Sequence, residues 1–361
     1  FFMVRVGSLM DLSIIAPDIH ENKTNMTPRE QLEAVFAAVR PLVEERDEIY
    51  AQVVADLEPY GFKELDLDDL SKKERRFARD YYREYIRPVL SPQVVDERHP
   101  FPHLRNKELY IATLLSEEDG SQHLGIVPVP DNIAPIICDP EEPLHFVRAE
   151  KLIAHHVRKI LDIYETSEPC IISVTRNADI SFDEEKFADD EGDYRLHVSR
   201  LLKKRNRLNP VRLEVEGKPE KLLLAGLLKR LKLTKSQMYV YDAPINLDWV
   251  FGLERRVGAE ERGKLSYAPF VPRASEEFDL NRSIMAQVEE RDRLLFFPYD
   301  SIDPFLRMLQ EAAIDPDVLS IKITVYRLAS ESRVAQHLAE AAENGKEVTV
   351  LMELRARFDE A

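Results

Sequence analysis

The sequence predicts a multidomain α+β protein, with a helical amino-terminal domain over 1–92, an α+β domain over 93–281 and an incomplete α/β unit over 282–361. Near the amino terminus, apolar residues recur every three or four positions, as they do in amphipathic helices. Short alternating runs follow, and the final segment combines two strand patterns with a helical pattern between them. A chain of 361 residues is long enough for two or three cores.

Two capping boxes mark the helices of the amino-terminal domain. Thr27 and Glu30 have the spacing of the first box, with Pro28 at the first helical position, and predict a helix over 27–58. Ser71 and Glu74 form the second box. We therefore expect a second helix from Ser71 until a proline ends it.

The middle domain alternates strand and helix patterns. The predicted strands cover 107–116, 123–129, 144–148, 168–176 and 211–216. The predicted helices cover 149–166, 194–206 and 219–231. The adjacent His155 and His156 fall on one of these helices, about 100° apart, so we expect one ring to face the core and the other to face solvent.

The carboxyl-terminal segment has the most regular pattern. It predicts helices over 301–313 and 331–343 and strands over 318–327 and 346–354. A strand, a helix and a second strand within so short a segment indicate parallel pairing through a right-handed crossover.

Two arginines mark the carboxyl edge of this predicted sheet. Arg327 ends the first strand and Arg357 lies just past the second. Parallel sheets bind ligands at this edge, and two guanidinium forks suit phosphate oxygens. In the alternative interpretation, each arginine pairs with a local carboxylate such as Glu353 or Asp359.

The composition excludes several classes of protein. Lys and Arg total 50 against 66 Asp and Glu, and a formal charge of −16 disfavours nucleic acid as a general partner. Two cysteines cannot supply a disulfide framework or a four-ligand zinc site, so we expect the reducing cytoplasm. No apolar run is long enough to predict a membrane span.

The sequence resembles bacterial polyphosphate kinases of the first type. The resemblance is carried by Phe296–Ser301, Asp315–Arg327, Ala341–Val350 and Glu353–Glu360. The opening Phe1–Val6 is similar to the stretch that follows an Asn-Leu-Asp-Glu box in that family. The order of the three predicted domains is also that of the family, whose catalytic domain has a phospholipase-D-like fold.

The resemblance implies a reversible transfer of the terminal phosphate of ATP to inorganic polyphosphate, with Mg²⁺ and through a phosphohistidine. Arg327 and Arg357 match the two family arginines of the magnesium and phosphate site. A guanidinium has no lone pair, so it would act through phosphate or water and would not ligate the metal. The family also implies a homo-oligomer, a dimer or tetramer, in the cytoplasm or peripheral to the inner membrane, with ATP, ADP and polyphosphate as partners.

The resemblance also implies what this chain lacks. The family's phosphorylated histidine lies in a Lys-Ile-His-Ala-Lys-like stretch that these residues do not reach, and the family's adenine-contacting asparagine would precede Phe1. We therefore expect the 361 residues alone to be inactive. Two alternatives stay open: a non-catalytic module for dimerisation or docking, and a phospholipase-D-like phosphodiesterase.

Overall fold

The computed structural model describes residues 1–96, 99–139, 141–177, 209–326, 328 and 331–352. They fall into two compact units, Phe1–Arg262 and Gly263–Ala361. Mixed helices and sheets confirm the multidomain α+β class. The boundaries expected near residues 92 and 281 stay predictions, because a division into two units does not separate three domains.

The long helix of the amino-terminal segment begins where its capping box predicts. A π-helical turn, Phe2–Val6, leads into α1 (Gly7–Ile15), and α2 spans Pro28–Leu57. The Glu30 amide donates to the Thr27 hydroxyl over 3.3 Å, and the Thr27 amide donates to the Glu30 carboxylate over 2.8 Å. This reciprocal pair confirms the first capping box.

The second capping box is confirmed in the same way. Ser71 and Glu74 exchange hydrogen bonds at the start of α3 (Lys72–Tyr81). The helix continues as a π-helical turn, Tyr82–Ile86, and as a 3₁₀ turn, Arg87–Val89, which contains the proline expected to end it.

Strands of the first unit form two sheets. In chain order they are β1 (Lys63–Glu64), β2 (Gln93–Val95), β3 (Leu109–Ser116), β4 (Gln122–Pro128), β5 (Ile136–Cys138), β6 (His145–Arg148), β7 (Glu165–Thr166), β8 (Cys170–Arg176), β9 (Pro210–Glu216) and β10 (Met238–Tyr241). The larger sheet has the order β10-β9-β8-β3-β4-β2, with β7 also paired to β3. The smaller sheet has the order β1-β6-β5.

The larger sheet is covered by helices on both faces. The helices are α4 (Ala149–His155), α5 (Val157–Ile160) and α6 (Lys221–Leu231). Tyr110, Ala112 and Leu114 of β3 pack in the core that includes α6. Ile111 and Leu115, one position along, pack in the core that includes α3, α4 and α5. This period of two is what a strand between two helical layers requires.

The helix predicted over 149–166 was wrong at its end. The helical segment ends at Ile160, and Glu165 and Thr166 form β7. Strand β8 pairs only with the first half of β3, so β7 supplies the backbone partners for Leu115 and Ser116. The helix predicted over 194–206 lies outside the described residues.

A buried ion cluster joins the two sheets. The Arg148 guanidinium at the end of β6 lies 2.7 Å from Glu64 of β1, 2.9 Å from Glu150 of α4 and 2.7 Å from Glu216 of β9. The Lys151 ammonium lies 3.1 Å from the same Glu216. Burial raises the pKa of Glu150, and Arg148 offsets only part of that effect. Burial also acts to raise the pKa of Glu216, but the hydrogen bonds and charges of Arg148 and Lys151 outweigh it and hold the pKa below the usual range.

Helices α7 (Val250–Glu254) and α8 (Ala259–Leu265) follow β10. The second unit then has α9 (Ile284–Glu290), α10 (Asp303–Ile314), β11 (Ser320–Val325), α11 (Arg333–Glu343) and β12 (Glu347–Met352). The elements from α10 to β12 confirm the pattern predicted for this segment.

Candidate phosphate-binding site

The strand–helix–strand unit of the second unit forms a parallel pair, as predicted. Strands β11 and β12 are in register from Ser320 opposite Glu347 to Val325 opposite Met352. Ile321, Ile323 and Val325 lie on the more buried face of β11, while the residues between them are exposed. The two strands therefore end side by side, and their carboxyl ends form one edge.

Two helices direct their amino termini toward this edge. Helix α11 runs from the end of β11 back to the start of β12, so it begins at the carboxyl edge. Arg333 in its first turn lies 2.8 Å from Asp303 in the first turn of α10. At the opposite ends, the side-chain amide Nδ2 of Asn344 donates to the Ala313 carbonyl over 3.0 Å. Helices α10 and α11 are therefore parallel to each other and antiparallel to the strands.

The local sequence explains how these helices begin. The Ser332 hydroxyl accepts a hydrogen bond from the Ala335 amide and caps α11. Before α10, the Ser301 hydroxyl donates to Asp303 over 2.7 Å, and the Asp303 amide donates back to it. The Ser301 hydrogen bond and then the Arg333 contact lower the pKa of Asp303.

The edge is therefore electrostatically suited to an anion. The amino-terminal ends of α10 and α11 both carry the partial positive charge of a helix dipole. Arg333 adds a full cation, which Asp303 balances. Cations that follow the two strands would add to this attraction for a phosphate group.

Arg327 and Arg357 are those residues in the sequence, but both lie outside the described residues. Arg327 stands two positions after Val325, and Arg357 stands five positions after Met352. The strands that lead to them end as register partners. Convergence of the two guanidinium groups stays a prediction, and so does the alternative pairing with Glu353 or Asp359, which also lie outside the described residues.

The segment Phe296–Ser301, which carried part of the resemblance, forms a turn around Asp300. The Asp300 carboxylate accepts from the Arg273 guanidinium over 2.7 Å and from the Phe296 amide over 2.8 Å. The backbone amide of Arg273 donates to the Tyr299 carbonyl over 2.9 Å, and the Ser301 amide donates to the Arg273 carbonyl over 2.8 Å, so these two hydrogen bonds flank Asp300. The Arg273 hydrogen bond, and next that of Phe296, lowers the pKa of Asp300. This turn fixes the approach of the chain to the start of α10.

Among the described residues, no group of three or more His, Cys, Asp or Glu side chains is placed to hold a metal ion. Arginine cannot ligate a metal directly.

The histidine pair of α4 has the structural role predicted for it. His155 is exposed, whereas His156 is buried, stacks on Tyr82 with ring centroids 3.9 Å apart and hydrogen bonds through Nδ1 to the Leu152 carbonyl. Burial lowers the pKa of His156. Of the two cysteines, Cys170 is buried and its pKa rises to about 12, which removes it as a nucleophile at neutral pH.

Sequence reasoning missed Arg333, Asp303 and the Arg273–Asp300 pair. Arg333 and Asp303 stand thirty positions apart and meet only because α10 and α11 run parallel. One sequence signal points to the start of α10: Ser301 and Asp303 precede Pro304, which is the pattern of a helix start. It does not indicate the contact with Arg333.

Three domain profiles of one protein family match this chain in consecutive order. The sequence profile of the polyphosphate kinase N-terminal domain matches residues 1–65. The profile of the middle domain matches residues 73–253, and that of C-terminal domain 1 matches residues 283–361. Together they extend over nearly the whole chain.

Individual relatives give the same result. A polyphosphate kinase of Exiguobacterium sibiricum is 35% identical over 366 aligned residues, which span 100% of this chain and 50% of the relative. One of Halalkalibacterium halodurans is 36% identical, over 100% of this chain and 51% of the relative. The chain thus spans about half the length of these relatives.

A solved structure shares the fold. The crystal structure of polyphosphate kinase from Porphyromonas gingivalis superposes with a TM-score of 0.68 at 23% identity, covering 98% of this chain and 52% of that protein. With three domain profiles matched in order and relatives aligned along the whole chain, the chain belongs to the polyphosphate kinase family.

Proposed function

We propose that the protein to which this chain belongs transfers the terminal phosphate of ATP reversibly to inorganic polyphosphate. The observation that carries the proposal is the parallel register of β11 and β12, which brings the two strand ends before Arg327 and Arg357 to one edge. The family of the chain supplies the reaction class. ATP, ADP and polyphosphate are the proposed substrates and products.

In this proposal, Arg327 and Arg357 bind the phosphate oxygens from two sides. Each guanidinium presents a planar fork of donors that matches two oxygens of a phosphoryl group. Phosphoryl transfer needs positioning and charge neutralisation more than covalent help from the protein. The two arginines would hold the donor phosphate in line with its acceptor and would stabilise the charge of the transition state.

The covalent step would use a histidine outside these 361 residues. That histidine would take the phosphoryl group from ATP and release ADP. The terminal phosphate of a polyphosphate chain would then attack the phosphohistidine, which lengthens the chain by one phosphate and returns the free imidazole. Mg²⁺, if it takes part, would arrive bound to the nucleotide phosphates and would reduce their negative charge. We also propose that this chain alone is inactive and that the domains follow the predicted ranges 1–92, 93–281 and 282–361.

The proposed setting is a homo-oligomer, a dimer or tetramer, in the cytoplasm or peripheral to the inner membrane. None of the helices among the described residues combines the length and apolar character needed to cross a bilayer.

Phosphate binding tests the proposal directly. We would measure the affinity of this chain for triphosphate and for vanadate, a phosphoryl-transfer analogue, with and without the double substitution Arg327→Gln and Arg357→Gln. A matched control replaces two exposed arginines of the first unit, Arg29→Gln and Arg158→Gln.

We expect the double variant to lose at least about tenfold in affinity, because each charge-assisted pair stabilises the complex by about 1 kcal/mol or more. The control should bind within about twofold of the parent chain. Equal affinity in the parent chain and the double variant would refute the phosphate site. A phosphodiesterase would instead cleave a nucleic-acid or lipid diester, and a docking module would bind no phosphate at this edge.

A further inference from the structure

A stripe of positive charge runs along α3 and the turns that follow it. We call it the α3 stripe, and its members are Lys72, Arg76, Arg79, Arg83 and Arg87. Within α3, the spacings of four and three place Lys72, Arg76 and Arg79 one helical turn apart on one side. Arg83 and Arg87 follow at spacings of four, in the π-helical and 3₁₀ turns that continue the helix. All five are exposed, and at about 1.5 Å per residue the stripe is roughly 20 Å long.

The stripe sits on a rigid support. Another side of the same segment is buried, with Ala78, Tyr82 and Ile86 packed in the core shared with α4 and the larger sheet. The Ser71 capping box fixes the start of the helix. The backbone that carries the five cations is therefore held by packing on one side and by a cap at its end.

The local acidic residues neutralise only part of this charge. Asp80 lies 3.1 Å from Arg79 and 3.6 Å from Arg76, so one carboxylate serves both. Within the part of the chain that the structure describes, Lys72, Arg83 and Arg87 form no ion pair. Glu74 is engaged in its capping box, and Glu84, the third carboxylate of the segment, forms a hydrogen bond with Tyr85. A net excess of positive charge on this stripe contrasts with the formal charge of −16 for the whole chain.

The chemistry of the stripe fits a linear polyanion without bases. A line of cations one helical turn apart can contact successive groups of a chain that carries a charge on every repeat. Tyr81 and Tyr85 carry the aromatic rings that could stack on bases. Their ring centroids lie 4.9 Å apart, and their positions in the sequence place them on a different side of the helix from the cations. Nucleic-acid binding would combine basic residues with such stacking platforms.

We propose that the α3 stripe is a binding surface for the polyphosphate chain. This inference rests on the proposed function, because polyphosphate is a substrate in that proposal. The stripe would hold a stretch of the polymer through several weak, screened contacts, so that long chains bind more tightly than short ones.

Binding of long-chain inorganic polyphosphate and of tripolyphosphate to the 361-residue chain tests the proposal. The stripe variant is the triple substitution Arg76→Gln, Arg79→Gln and Arg83→Gln. The control variant removes three exposed cations of α6, with Lys221→Gln, Lys229→Gln and Arg230→Gln. Both variants change the net charge equally, so a general charge effect would weaken both alike.

We expect the stripe variant to bind long-chain polyphosphate about tenfold or more weakly, since each exposed pair contributes a modest amount and three are lost. The slope of log affinity against log salt should also decrease, because fewer counterions are exchanged. Tripolyphosphate, which spans little of the stripe, should be affected less. The control should stay within about twofold of the parent chain.

A second variant keeps the test decisive if the glutamines disturb the fold. Arg76→Lys, Arg79→Lys and Arg83→Lys retain the charge, so binding should persist. Equal losses in stripe and control variants would overturn the proposal, and so would unchanged affinity in the stripe variant. Tighter binding of single-stranded DNA, or of vesicles containing anionic phosphatidylglycerol, than of polyphosphate would assign the stripe to another partner and would also overturn it.

The failure of the proposed function can be distinguished from the failure of this inference. Transfer from ATP to a short polyphosphate primer by the full-length protein tests the function and does not require the stripe. Stripe-dependent binding without transfer would refute the kinase activity but not the surface. Transfer with stripe-independent binding would refute the surface but not the activity.

Discussion

Arg148 and Glu216 form a two-point ion pair that is almost completely buried, with Nη2 2.7 Å from Oε1 and Nη1 3.2 Å from Oε2. The pair joins the last residue of β6 to the last residue of β9, and so links the small sheet to the large one. Glu64 and Glu150 contact the same guanidinium. One arginine thus balances carboxylates from three elements.

Arg148→Met should therefore destabilise the first unit by about 3–5 kcal/mol, because Glu64 and Glu150 lose the guanidinium they contact and Glu216 keeps only Lys151. Urea unfolding of the parent chain and the variant measures this. Arg158→Met is the control, since Arg158 is exposed and its contact with Glu168 is 3.9 Å long. The control should change the free energy of unfolding by less than about 0.5 kcal/mol. A loss of under about 1 kcal/mol in Arg148→Met would contradict this account of the cluster.

His156 should make stability depend on pH in the mildly acidic range. Burial against Tyr82 lowers the pKa of His156 below its usual 6.5, so the folded state binds its proton less readily than the unfolded chain does. The stabilising contribution is present above pH 6.5 and decreases as the pH falls below it. His156→Phe keeps a ring against Tyr82 and should flatten this dependence.

Urea unfolding at a series of pH values would measure that dependence. His155→Phe is the matched control, because His155 is the exposed neighbour on the same helix. It should retain the slope of the parent chain. An unchanged slope in His156→Phe, or the same flattening in the control, would show that other groups cause the effect.

Local signals made the capped helices α2 and α3 and the β11–α11–β12 unit predictable. A capping box needs only Thr27 and Glu30 three positions apart, and the apolar periodicity of a helix or strand lies within one segment. Parallel pairing followed because a helix separates two strands. Strand β10 was missed although Tyr239 and Tyr241 alternate with more exposed residues, because a four-residue strand carries little signal.

Contacts between distant segments were not predictable in this way. Glu64, Arg148 and Glu216 are widely separated in the sequence, and nothing beside each residue indicates that they meet. The candidate site was predicted as far as the strands reach, since β11 and β12 do end together. The partnership of Arg333 with Asp303 depends on the packing of two helices, which the periodicity of each helix alone does not specify.

Gly7→Ala should destabilise the chain through a clash with one side chain. A Cβ at Gly7 would lie 2.2 Å from Oδ1 of Asn177, which is buried and donates to Asp11 over 2.7 Å. We expect a loss of about 1–3 kcal/mol, as for other overpacked sites. Gly263→Ala is the control, since no atom lies within 4 Å of its added Cβ.

A double-mutant cycle locates the cause. In an Asn177→Ala background, where the clashing amide is absent, Gly7→Ala should cost about 1 kcal/mol less than in the parent chain. Additive free energies of unfolding would indicate that Gly7 is required for another reason.

The 361-residue chain should not synthesise polyphosphate from ATP, because the proposed phosphohistidine lies outside it. The measurement is incorporation of γ-labelled phosphate into acid-insoluble polymer, with the full-length protein assayed in parallel. The full-length protein should be active. Robust synthesis by the chain alone would place the nucleophile within these residues and would exclude this version of the mechanism.

Arg327→Ala in the full-length protein should raise the barrier to phosphotransfer by about 2–4 kcal/mol, as removal of other groups that stabilise transition-state charge does. The reason is the position of Arg327 in the sequence, just after β11. The strands β11 and β12 end together, so a guanidinium that follows β11 would lie near the proposed phosphate site and could neutralise the transferring phosphoryl group. Steady-state kinetics in both directions measures the effect, with Arg29→Ala, an exposed arginine of α2, as control. Kinetics within about twofold of the parent protein would show that Arg327 is not part of the site. Arg357 and the two helix termini would then be the groups of the site that attract phosphate.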